Sequence, residues 1–174
     1  MATAESYRRA LATSSTSTSF TAKTPTTTKP SGTGVFDLFS ASMSLGVNVP
    51  RFLDMVPYGT DGSNDTFSYR VWGWNRVADS SLATSPVWIP RLLLEASVVL
   101  GNVAATGLGA SNYLADTITL VDGDATSPVI STESDTGASI IIHSRGSELI
   151  EFDWDLAGAQ EAVSMNCLWK PMDQ

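Results

Sequence analysis

The chain has 174 residues, 43% of them hydrophobic, which suits one domain with a real core and an appended arm. Its net charge of -8 argues against nucleic acid as the main partner, because phosphate binding needs concentrated Lys and Arg. The single cysteine, Cys167, rules out an intramolecular disulfide, and with one histidine, His143, the usual zinc ligand sets cannot be assembled.

Composition changes sharply near Gly34. About half of residues 1–33 are Ser or Thr, including Ser14-Ser15-Thr16-Ser17-Thr18-Ser19 and Thr26-Thr27-Thr28. Such a segment buries too little apolar surface to offset its ordering entropy unaided. Its apolar anchors are Tyr7, Leu11 and Phe20. Arg8, Arg9, Lys23 and Lys29 against Glu5 give it a net of +3, and six basic against 17 acidic residues give the remainder -11. The division expected is therefore an extended Ser/Thr-rich arm over 1–33 and a β-domain over 34–174. Nothing in the arm forms the apolar core of a signal peptide, and no apolar run reaches transmembrane length, so a soluble protein is expected.

From Gly34 onward the chain reads as strands. Residues 35–45 mix apolar and small polar side chains. Residues 66–72 alternate, with Phe67, Tyr69 and Val71 on one face and Trp72 and Trp74 on the other. Val87-Trp88-Ile89 lies between Pro86 and Pro90, and the apolar run 92–100 reads as a strand ending in a turn at Gly101-Asn102. Further strands are expected over 117–121, 128–132, 139–143, 149–156 and 162–169. In 149–156, Ile150, Phe152, Trp154 and Leu156 face one way, and Glu151, Asp153 and Asp155 the other. Turn signals fall at Asp61-Gly62-Ser63-Asn64, Asp122-Gly123-Asp124, Asp135-Thr136-Gly137 and Arg145-Gly146-Ser147. Turns every 8–12 residues or so predict an all-β fold, an antiparallel β-sandwich or a jelly-roll-like barrel.

Little in this pattern suggests catalysis. His143 ends an Ile140-Ile141-Ile142 run without a Gly-x-Ser-x-Gly elbow, and Cys167 sits among strand residues as a small hydrophobe. Asp61, Asn64 and Asp65, and Asp122 with Asp124, offer oxygens to a cation, but turn chemistry also explains them. No enzyme, metal or cofactor is expected. Glu151, Asp153 and Asp155 make a solvated face, or the receiving surface for the basic arm if they face another subunit. Five tryptophans suit core packing first, then a subunit interface, then a sugar-stacking platform. The candidate partner-binding residues are Arg8, Arg9, Phe20, Lys23, Lys29, Trp72, Trp74 and Trp88.

Two segments carry a resemblance. Asp61-Gly62-Ser63-Asn64-Asp65 leads into Thr66-Phe67-Ser68-Tyr69-Arg70-Val71-Trp72-Gly73-Trp74-Asn75-Arg76, and Val87-Trp88-Ile89-Pro90-Arg91-Leu92-Leu93 follows. This resembles a pattern in small virion structural proteins of tailed bacteriophages. The closing residues, Leu149-Ile150-Glu151-Phe152-Asp153 and Ala162-Val163-Ser164-Met165-Asn166-Cys167-Leu168-Trp169, are similar to their last hairpin, with Cys167 and Lys170 where Ala and Arg would be expected. The resemblance covers about residues 55–170. It implies a virion protein made in the host cytoplasm, a head decoration or cement subunit whose partners are the major capsid protein or neighbouring copies, in a homo-oligomer. The alternative is a tail- or fibre-associated protein that binds a host glycan or another tail protein.

Overall fold

A computed structural model describes residues 8–11, 22–32, 34–38, 52–60, 66–77, 86–104, 112–123, 125–129, 137–155 and 165–172. The chain is all-β, and its strands form one antiparallel sheet that curls into a half-barrel. The strands are β1 (Arg8–Leu11), β2 (Val35–Asp37), β3 (Phe52–Thr60), β4 (Thr66–Val77), β5 (Val87–Ala104), β6 (Asn112–Gly123), β7 (Ala125–Val129), β8 (Ser139–His143), β9 (Leu149–Asp155) and β10 (Met165–Met172). Their order is β1-β10-β3-β6-β5-β4-β9-β2. One edge of β3 is shared: Phe52 to Met55 pair with β8, and Tyr58 to Thr60 with β6. β7 continues almost directly from β6 and pairs with β8, so the sheet folds over itself there.

The concave face holds the core. Phe67, Tyr69 and Val71 of β4 meet Ile150, Phe152 and Trp154 of β9, Leu53 and Met55 of β3, and Ile140 and Ile142 of β8. The period-2 alternation read in β4 and β9 is thus the burial pattern observed, since successive side chains of a strand point to opposite faces. Aromatic packing ties three strands together: Phe36 meets Phe152 edge-on at 5.4 Å between centroids, and Tyr69 stacks on Phe152 at 6.0 Å.

Two readings of local structure are corrected, and a third is met in part. Of the expected strand over 35–45, Val35 to Asp37 pair with β9, and the Leu38 amide continues that register by donating to Glu148 O at 2.9 Å. Residues 39–45 lie outside the described residues. The two strands expected on either side of Pro90 are one, β5, and it runs past Gly101 to Ala104. Pro90 is tolerated because β6 pairs with β5 only from Leu94 onward, so the stretch 87–92 has β4 along one side and needs no ladder N–H at Pro90 on the other. Of the turn expected at Asp122-Gly123-Asp124, Asp122 and Gly123 are instead in the ladder, opposite Glu95 and Leu94, and Asp124 lies outside the described residues.

The strand β5 carries a bulge. Leu94 pairs with Val71 and Leu92 with Trp72, so Leu93 is the extra residue, and Leu93 and Leu94 both enter the core. Opposite the bulge, Gly73 leaves no room for a side chain, since a Cβ there would meet Ser147 Oγ and lie 3.0 Å from Leu93 Cδ1. Gly73→Ala is accordingly expected to lower stability by about 1–3 kcal/mol, read as a lower urea midpoint; an unchanged midpoint would mean that the Ser147 turn yields freely.

The turn from β8 to β9 matches its sequence signal. Arg145 and Gly146 have φ of 54° and 68°, and the Ser147 amide donates to Ser144 O at 3.0 Å. Two successive positive-φ residues make this a type I′ turn, whose twist suits a hairpin. The strand β3, in contrast, is buried on both faces: Leu53 and Met55 enter the core, while Asp54 and Tyr58 are 8% and 1% exposed on the other side.

Candidate functional site

The convex face of β4, β9 and β5 carries the residues with most chemistry. Trp74, Trp88 and Leu149 form a second apolar cluster there, packed by Val35. Trp74 and Trp88 are only 4% and 6% exposed. Backbone alternation puts Trp72, Arg70 and the β9 carboxylates on this face, with Trp72 opposite Glu151 and Arg70 opposite Asp153. Arg70 Nε donates to Glu95 Oε2 at 2.9 Å, across to β5.

The chain's own basic segment reaches this face. Residues 22–32 form a strap tied to it at three points, Lys23, Thr26 and Lys29. The Thr26 amide donates to Trp88 O at 3.0 Å, and the Trp88 amide returns a bond to Thr26 O at 2.7 Å. Lys23 Nζ donates to Glu151 Oε1 at 2.7 Å and lies 3.8 Å from Asp153 Oδ2. The other oxygen of Glu151, Oε2, accepts from the Trp74 indole at 2.8 Å, so one carboxylate joins the strap to the tryptophan cluster. Lys29 pairs with Asp37 at 2.8 Å, with its ammonium 6.0 Å from the Trp88 ring centroid.

The electrostatics follow from this crowding. Burial pushes the Asp153 carboxyl above the ordinary carboxylate range, with Lys23 pulling it down and Glu151 pushing it up. Because the folded chain holds this proton to higher pH than the unfolded chain, the group's stabilising contribution is full only below the unfolded value of 3.8. It is lost as pH rises through the folded value. Asp153→Asn is therefore expected to raise the urea midpoint at pH 7 relative to the unsubstituted chain, with that advantage shrinking as pH falls toward 4. An advantage that grew in acid would refute the assignment.

The predicted partner-binding residues fall in four places. Lys23, Lys29, Trp74 and Trp88 converge on the strap and its seat. Trp72 shares their face, half-buried, and its Nε1 has no hydrogen-bond partner among the described residues. Arg8 and Arg9 belong to β1, which pairs with β10 at the far end of the sheet, opposite Trp169 and Leu168. Phe20 lies outside the described residues. Of the three tryptophans that a glycan platform could use, Trp74 and Trp88 are buried and Trp72 is half-buried. Asp37 is the site residue that sequence missed; it is an isolated acid in a short strand, with no signal beyond its charge.

The other candidates take structural places. His143 Nδ1 accepts the Arg145 amide at 2.8 Å, and its ring meets Phe52 edge-on at 4.9 Å, so it caps the β8–β9 turn. Asp61, Asn64, Asp65 and Asp124 lie outside the described residues, as does the side chain of Cys167, whose backbone pairs with Pro57 and Ala10. Among the described residues, no group of three or more His, Cys, Asp and Glu is placed to hold a metal. No described helix is long and apolar enough to cross a membrane.

No known protein family, curated protein or solved structure matches the chain.

Proposed function

We propose that the chain is a non-enzymatic structural subunit of a virion, a capsid decoration or cement protein of a tailed phage. The observation that supports it most is the basic N-terminal segment seated by charge and aromatic contact on an acidic sheet face. Such a seat suits an extended polypeptide rather than a small molecule: one backbone bridge at Thr26, flanked in sequence by two lysines six residues apart that each find a carboxylate. The virion context comes from the resemblance of residues 55–170. Many weak copies of such contacts add up through multivalency on a symmetric shell.

The finer architecture in this reading is a β-sandwich or jelly roll. The burial of β3 on both faces supports it, because a strand covered on both sides calls for a second layer. The partners are the major capsid protein or neighbouring copies.

The test is binding of purified full-length chain to undecorated phage heads, scored by cryo-electron microscopy. It is run beside a version in which Arg8, Arg9, Lys23 and Lys29 are neutral. Regular density on the shell, weakened by neutralisation, is the expected result. Absence of head binding by both forms would remove this reading in favour of a tail- or fibre-associated protein.

A further inference from the structure

We infer that residues 22–32 are an exchangeable strap, which fills its own seat in the lone chain and the same seat of a second copy when two chains meet. The inference deepens the assembly reading and rests on it only for the use made of the exchange.

Three observations carry it. The first is the nature of the contacts. Ion pairs of Lys23 and Lys29, one backbone bridge at Thr26 and the Lys29–Trp88 contact are all made to body residues, with Glu151 standing 128 positions from Lys23. Nothing in that set requires both halves to come from one chain. The second is the tie between strap and body. It is a reversal from Gly32 to Gly34, at φ of 120° and 84°, closed by the Val35 amide on Gly32 O at 3.2 Å. These are glycine conformations, and straightening them would send the strap away from its own body. The third is that the seat has groups to satisfy. Without the strap, Glu151 and Asp153 would lose the Lys23 cation, and the Trp88 backbone would lose both bonds to Thr26. A second copy's strap carries the same lysines at the same spacing, so it fits the seat equally well, and exchange of identical elements yields closed dimers. The Pro90 site limits the alternative of open-ended strand addition. It has no N–H to give, so the edge that receives Thr26 cannot extend into a regular ladder there.

Charge reversal separates cis from trans seating in the full-length chain. A Lys23→Glu chain and a Glu151→Lys chain each place like charges together when the strap stays on its own body. In an exchanged heterodimer of the two, both Lys–Glu contacts are matched. Mixing them at micromolar concentration and reading native mass spectra is expected to give heterodimer at least about tenfold above either homodimer. Random pairing alone gives about twice as much heterodimer as either homodimer, so a ratio near or below that overturns the exchange. A second variant avoids the charged face. Gly32 has nothing within 4 Å of an added Cβ, so Gly32→Ala burdens only the reversal. It is expected to shift the monomer–dimer equilibrium about tenfold toward dimer in sedimentation, and an unchanged or more monomeric chain overturns the hinge. Head binding without exchange would remove this inference and keep the assembly reading. Exchange without head binding would do the reverse.

Discussion

Trp88→Ala is expected to destabilise the chain by about 3–5 kcal/mol in urea unfolding, the range for removing a buried large aromatic. Trp88 is the centre of the strap's seat. Its backbone bonds Thr26 in both directions, and its ring packs with Trp74 and Leu149 and lies beneath Lys29. Truncation leaves the backbone bridge possible but removes the surface on which the strap rests. The loss therefore has two parts, the cavity in the cluster and the weakened strap. A double variant separates them. With Lys23→Ala already present, part of the strap's hold is gone, and the further cost of Trp88→Ala is expected to be smaller than in the unsubstituted chain by about 0.5 kcal/mol or more. Full additivity would mean that strap and tryptophan cluster are energetically independent, and it would weaken both the assembly reading and the exchange.

How far the sequence foretold this face varies with the kind of signal. The alternation of Phe67, Tyr69 and Val71 against Trp72 and Trp74, and of Ile150, Phe152 and Trp154 against the β9 carboxylates, is local in sequence and emerged in the structure as two faces. Strand periodicity says which residues share a face, but not which strands lie side by side. The placement of β9 beside β4, which puts Glu151 opposite Trp72, depends on pairings some eighty residues apart. The basic arm and the acidic strand were each visible as charge, and their meeting was expected only with a neighbouring subunit. In the structure the strap reaches its own body, because Gly32 and Gly34 reverse the chain just before β2 joins β9. Pro90 misled for a related reason. Whether a proline ends a strand depends on whether its missing N–H faces a partner, and that is decided by where β6 stops.

Phe152→Ala is the second large effect, about 3–5 kcal/mol, and it should behave oppositely toward the strap. Phe152 lies on β9 between Glu151 and Asp153 but points to the other side of the sheet, into the core. There it stacks on Tyr69 and meets Phe36 edge-on, so its removal loosens β2, β9 and β4 together. Aromatic pairs of this kind carry about 0.5–1.5 kcal/mol beyond the area they bury, so Phe152→Leu, which keeps most of the volume, should recover much but not all of the loss. Since the strap touches the opposite face, Lys23→Ala and Phe152→Ala are expected to add to within about 0.5 kcal/mol. Additive behaviour for Phe152 beside non-additive behaviour for Trp88 would assign the strap's energy to the convex face. Coupling of equal size at both positions would instead mean that the strap acts by rigidifying β9 as a whole, and the seat would then be a property of the strand rather than of the tryptophan cluster.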